Sequence, residues 1–159
     1  MADSSPTKVD ISAIAHLEEA LAHPEPMCLA VIEIRSRPDA GVAGGECSEA
    51  DVHLEVMEEA QARLRETLRD YDELSAIDGS SFALVLRTLA GADIMGGRMQ
   101  SLHTIMTRPY IVAGVEIDTV VSLGSSIRIP QESAGELVAR VDEALSQART
   151  RNTPGPVML

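Results

Sequence analysis

The chain predicts an α+β fold: a mainly antiparallel central sheet flanked by helices, close to the ferredoxin-like arrangement. Three features carry that prediction. Helical and extended patterns alternate in the order α-β-α-β-β-α-β-β-α. Two of the strand pairs are joined by glycine-bearing turns and read as hairpins. The run Met27 to Arg35 is apolar and rich in β-branched residues, as a central strand should be.

Taken in order, residues 1–9 hold Ser, Pro and charge and are expected to be flexible. With Asp10 as N-cap, Ile11, Ile14, Leu17 and Leu21 repeat at helical spacing, and His23-Pro24-Glu25-Pro26 ends that helix. The central strand follows, then a loop over 36–47 rich in Gly and Ala. Ser48 to Asp51 resembles a capping box opening a helix of about five turns, apolar along Val52, Val56, Ala60, Leu64 and Leu68. Arg69 to Asp72 lie at its exit. Short strands at Leu74–Ile77 and Phe82–Arg87 flank the turn residues Asp78-Gly79-Ser80-Ser81. A helix from about Ala92 to Met106 buries Met95, Met99, Leu102 and Met106, which read as core filling. Residues 110–129 form a hairpin around Gly114 with a long second strand. Ser133 to Glu136 is a second capping box, and the last helix buries Leu137, Val141, Leu145 and Ala148. The organisation expected is a domain over 10–152 and a flexible tail over 153–159.

Length and composition set outer limits. A chain of 159 residues with 45% hydrophobic and 24% charged residues has the size and balance of one globular domain. No apolar run approaches the roughly 18 residues of a membrane span, and the polar, acidic N-terminus does not read as a secretory signal. A cytoplasmic location is expected. The net charge of -12 disfavours binding to nucleic acid or anionic lipid. It leaves room for a small anionic ligand held by arginine, and every basic residue except Lys8 is Arg. Cys28 and Cys47 make no framework, and Cys28 reads as a buried small hydrophobe. His16, His23, His53 and His103 stand singly, away from zinc-ligand spacing. No metal and no cofactor are expected.

Four segments, in order, give the chain a resemblance to the GGDEF domain of bacterial diguanylate cyclases over about residues 10–152. The family's first strand, Leu-x-x-x-Asp-Ile-Asp, is matched by Leu29 to Arg35, with Glu33 at the first acidic position. Its signature hairpin, Gly-Gly-Asp-Glu-Phe-x-x-x-Leu, is matched by Asp78-Gly79-Ser80-Ser81-Phe82 through Leu86. A later Val-x-x-Ser-Ile-Gly strand corresponds to Val120-Val121-Ser122-Leu123-Gly124, and the closing Ala-Asp-x-Ala-Leu-Tyr-x-Ala-Lys helix to Val141 through Arg149.

What the resemblance implies depends on where the chain departs from it. The cyclases hold two divalent cations with carboxylates from the first strand and the signature hairpin. Glu33 supplies one such group. Both acidic hairpin positions have become Ser80 and Ser81, and Asp78 stands where the family has glycine. The family's guanine-reading segment, Asn-Asp-x-x-Gly-His-x-x-Gly-Asp, falls on Asp39 to Asp51 without its Asn. These losses imply a domain that does not condense GTP.

One family feature is retained. Arg69-Asp70-Tyr71-Asp72 is an Arg-x-x-Asp five residues before the hairpin, the spacing of the family's inhibitory site for cyclic di-GMP. Arg69 has two parallel donors for a guanine O6/N7 edge, and Asp72 accepts from guanine N1–H and N2–H. Arg98 is the nearest candidate for the family's further arginine, and Arg65, one helical turn before Arg69, is a candidate for neutralising phosphate. Plain turn chemistry also explains an Arg near a helix C-terminus followed by an Asp.

Three functions follow from the resemblance. The first is a catalytically inactive GGDEF-like effector that binds cyclic di-GMP through Arg69, Asp72, Arg98 and Arg65. The second is a nucleotide-independent interaction or dimerisation module in bacterial signalling; with nearly all 159 residues in the domain, the signal is expected to pass to a separate protein or a second copy. The third is a non-catalytic GTP-binding regulatory domain using Glu33, the backbone near Ile34, Arg149 and Arg151.

Overall fold

The computed structural model of the chain describes residues 27–36, 49–70, 72–87, 92–151 and 155–159. The expected flexible N-terminus, the Asp10 helix, the loop beyond Ser36 with Asp39, the Ser48 cap and Tyr71 lie outside the described residues. The elements are β1 (Met27–Ser36), α1 (Glu49–Thr67), β2 (Glu73–Asp78), β3 (Ser81–Arg87), α2 (Ala92–Met106), β4 (Tyr110–Val112), β5 (Val115–Ile117), β6 (Thr119–Ile127), α3 (Ala134–Thr150) and β7 (Val157–Met158).

Five strands form one sheet in the order β2-β3-β1-β6-β7, and β4 and β5 pair separately. β1 lies at the centre, antiparallel to β3 from Met27↔Arg87 to Glu33↔Ser81 and to β6 from Cys28↔Ile127 to Ser36↔Thr119. Its continuous apolar sequence follows from that position, because both faces are covered. Met27, Leu29 and Val31 pack with Leu137, Val138, Val141 and Leu145 of α3. Cys28, Ala30, Ile32 and Ile34 join the larger core with Val52, Val56, Ala60 and Leu64 of α1 and the Met95–Met106 stripe of α2. Burial of Cys28 pushes its thiol up to about 12, which keeps it protonated and inert.

Two local devices fix the layers. Arg63 ties α1 to the end of α2 and the start of β4: Nη1 donates to the carbonyls of Ile105 (3.1 Å) and Arg108 (2.9 Å), and Nη2 to that of Pro109 (2.7 Å). Its guanidinium also lies 4.0 Å from the centroid of the buried Tyr110 ring. Gly124 of β6 lies against α3 so closely that a methyl group there would collide with the Leu145 backbone.

In α3 the buried alanine is Ala144, one turn before the expected Ala148, which is only partly buried, and the strands differ from the sequence reading in two places. The long strand expected up to Ile129 is divided at Asp118, so that β5 closes a small hairpin with β4 while β6 crosses into the main sheet. Ala113 and Gly114, both at positive φ (52° and 78°), make the hairpin turn. The expected tail contributes a strand. Val157 and Met158 pair parallel to Gly124 and Ser125, and the Leu159 N–H donates to the Ser125 carbonyl at 3.0 Å. Val157 is buried there and α3 packs against the strand, so two apolar residues cover the Gly124–Ser125 stretch of the outer edge of β6.

Candidate functional site

Antiparallel pairing brings the end of β1 against the hairpin between β2 and β3. Glu33 sits opposite Ser81 on one side and Ser122 on the other, and is 4% exposed. Burying a carboxylate requires a partner, and α3 supplies it. Arg149, in the last turn of that helix, donates from Nε to Oε1 at 2.9 Å and from Nη2 to Oε2 at 2.5 Å. Arg35 adds a second cation, with Nε 3.1 Å from Oε1. Both carboxylate oxygens are therefore engaged by guanidinium groups.

The hairpin tip is tied down as well. Asp78 Oδ1 accepts the Ser80 N–H at 2.7 Å, an Asx turn that accounts for an aspartate at a glycine position of the family. The Ile34 N–H donates to the Ser80 carbonyl at 2.8 Å. Ser81 and Phe82 are both 3% exposed and point into the body of the domain.

His53 of α1 completes this arrangement, and the sequence reading passed over it as a solitary histidine. Its Nδ1 lies 2.9 Å from Ser36 Oγ. Nε2 lies 2.8 Å from the Gly79 carbonyl and 3.1 Å from Ser80 Oγ. A carbonyl only accepts, so Nε2 carries a proton and donates to Gly79, and in the neutral ring Nδ1 accepts from the Ser36 hydroxyl. The signal for this role is not local: it needs the pairing that sets Ser36, Gly79 and Ser80 around one turn of α1.

A divalent cation does not fit this donor set. Glu33 has both oxygens on arginine, Asp78 Oδ1 is taken by the Ser80 N–H, and the two serines of the hairpin offer neutral hydroxyls. Among the described residues no group of three His, Cys, Asp or Glu stands together in a way that suits a metal ion.

The second group of predicted residues meets at the exit of α1. Asp72 has no exposed side-chain surface. Its Oδ2 accepts the Arg69 N–H at 3.0 Å, its Oδ1 accepts the Arg87 N–H at 3.2 Å, and Arg98 Nη2 pairs with Oδ2. The Asp72 N–H in turn donates to the Arg69 carbonyl at 2.9 Å. Arg98 reaches this point from α2, so the structure brings Arg69, Asp72 and Arg98 together, with Arg65 exposed one turn back on α1. Arg151 instead caps α3, its N–H on the Gln147 carbonyl, and Asp51 lies exposed in the first turn of α1.

The sheet order, the helices on both faces and the hairpin beside β1 define a nucleotide-cyclase-like domain. Residues 51–154 match the family described as diguanylate cyclase, GGDEF domain, and the chain belongs to that family. No curated protein matches it in sequence. Solved structures do match in fold. The coiled coil and GGDEF domain of DgcB from Caulobacter crescentus, in complex with c-di-GMP, is 18% identical with a TM-score of 0.74, covering 92% of this chain and 78% of that one. A diguanylate cyclase/phosphodiesterase from Caldicellulosiruptor saccharolyticus is 18% identical with a TM-score of 0.75, covering 94% and 86%. Diguanylate cyclase SiaD from Pseudomonas aeruginosa, in complex with its activator SiaC, is 19% identical with a TM-score of 0.68, covering 94% of this chain and 56% of that one.

Proposed function

We propose that this GGDEF domain, spanning residues 10–152, does not condense GTP and serves as an effector that binds cyclic di-GMP at the corner formed by Arg69, Asp72, Arg98 and Arg65. The observation that carries this reading is the ion pair by which Arg98 of α2 is seated on Asp72 beside Arg69. A guanine presents O6 and N7 as paired acceptors, and each phosphate presents two oxygens, so planar guanidinium groups suit both parts of the ligand. With its carboxylate buried and fully engaged, Asp72 acts on the ligand by positioning Arg98 and the helix exit, in place of the guanine-accepting role its sequence position suggested.

Loss of catalysis is supported by the contacts at the end of β1. Glu33 is held by Arg149 and Arg35, the hairpin acids are serines, and His53 bonds the hairpin tip. The same contacts weigh against the GTP-binding reading, because its carboxylate and its phosphate-binding arginine are spent on each other.

Calorimetry with the purified chain tests the proposal. Cyclic di-GMP should give a saturable heat that Arg69→Ala abolishes, and GTP with Mg²⁺ should yield no cyclic dinucleotide. No heat at high micromolar ligand, an unchanged affinity in Arg69→Ala, or GTP turnover overturns it.

A separate surface favours the reading of an interaction module. A groove of about 560 Å³ lined by Glu55, Glu58, Glu59, Arg63, Pro109 and Ile111 opens on α1 and β4, with Ile111 69% exposed. Light scattering distinguishes this reading: a strict monomer that retains no partner counts against it.

A further inference from the structure

Arg87 closes β3 beside the same corner, and no sequence motif singles it out. Its N–H donates to Asp72 Oδ1, so its backbone is fixed on the carboxylate that seats Arg98. The side chain is less well satisfied. Nη2 reaches Glu73 Oε1 only at 3.4 Å, and Nε, on the same edge of the guanidinium, is buried without a hydrogen-bond partner among the described residues.

Two other arginines show what that edge does when fully matched. Arg149 places Nε and Nη2 on the two oxygens of Glu33, at 2.9 and 2.5 Å. Arg140 does the same on Glu132, at 2.8 and 2.6 Å. Both acids are 5% exposed at the side chain, whereas Glu73 is 38% exposed and stays in contact with water. Glu73 is thus a weak, easily released partner for a group built to hold two oxygens at once. In a chain of net charge -12, Arg65 lies on α1, Arg69 in the turn that leaves it, Arg87 at the end of β3 and Arg98 on α2.

We propose that Arg87 is a phosphate-binding residue of this corner. On ligand arrival its guanidinium leaves Glu73 and offers Nε and Nη2 to the two non-bridging oxygens of one phosphodiester, with Glu73 as the internal competitor. The inference rests on the cyclic di-GMP reading above and adds to it a residue outside the Arg-x-x-Asp motif.

Titrating cyclic di-GMP into the full chain and three variants tests it. Arg87→Lys keeps the charge but loses the paired edge, and should weaken binding about tenfold. Glu73→Gln removes the competing anion and should tighten binding about threefold. Arg69→Ala serves as the reference for loss of binding. If the unaltered chain does not bind, the functional reading fails. If it binds and only Arg69→Ala matters, the Arg87 assignment alone is overturned. Weakening in Arg87→Lys without tightening in Glu73→Gln also overturns it, because a purely structural arginine gives that pattern.

Discussion

Arg149 grips both carboxylate oxygens of Glu33 from the far end of the chain, joining the last turn of α3 to the end of β1. Removing one partner leaves the other charged and nearly dry. Arg149→Ala should therefore destabilise the domain by about 3 kcal/mol, since Arg35 is 61% exposed and offers only a screened substitute. The double variant Glu33→Leu/Arg149→Leu should recover most of that loss, because an apolar pair carries no desolvation penalty. Urea unfolding midpoints of the three proteins check both statements; equal losses in the single and double variants would refute them.

Acid should weaken the fold in two separable stages. His103 of α2 is 5% exposed, with Nε2 unpartnered among the described residues, and burial holds its pKa below the usual imidazole value. A base with a lowered folded-state pKa is favoured neutral, so its stabilisation is complete above about pH 6.5 and is lost as pH falls below that. Glu132 is likewise favoured deprotonated, but there the favoured form is the charged one. Arg140 holds its carboxyl below the usual range, so its stabilisation survives to about pH 4.5 and is lost at lower pH. Melting temperatures between pH 8 and 3 should show both steps. His103→Asn should flatten the upper one alone.

Two glycines should respond with opposite sign to the same change. At Gly124 an added methyl meets the Leu145 backbone, so Gly124→Ala must push α3 off β6 and cost about 3 kcal/mol. At Gly97, inside α2, nothing lies within 4 Å of the added carbon, and Gly97→Ala should stabilise by roughly 0.5–1 kcal/mol through the restricted unfolded chain. Thermal melts of the pair give the answer directly.

The His53 bridge makes a kinetic prediction. Without the imidazole, Ser36 and the hairpin tip lose their common partner, so in His53→Ala the Ile34 amide, bonded to the Ser80 carbonyl, should exchange with deuterium faster than in the parent. Neither this variant nor Ser80→Asp/Ser81→Glu should make cyclic dinucleotide from GTP, because Glu33 stays on Arg149 in both.

Much of the fold was legible because the decisive signals are local. An unbroken apolar run marks the strand covered on both faces, the methionine spacing marks α2, and Asp78 to Ser81 announces its turn. β7 was not legible: two apolar residues carry no period, and their strand character comes from the β6 edge that receives them. The break at Asp118 was hidden for a related reason, since the residues on both sides favour extended backbone and only the sheet decides which strand each joins. At the sites, Glu33, Arg149, Asp72 and Arg98 were singled out, but not that the first two would satisfy each other. His53 and Arg87 gave no signal at all, because their partners come from distant strands.

β7 has one more consequence, which concerns behaviour at high concentration. With it in place, the borders of the five-stranded sheet are the two-residue β7 itself and β2, whose ladder is irregular between Ala76 and Asp78 and whose ends carry Glu73 and Asp78. A kinked, negatively charged border is a poor template for another chain's backbone. Peeling Val157 and Met158 away would free the backbone of Gly124 and Ser125 on β6, so a chain shortened after Gly155 should pair edge to edge more readily at high concentration.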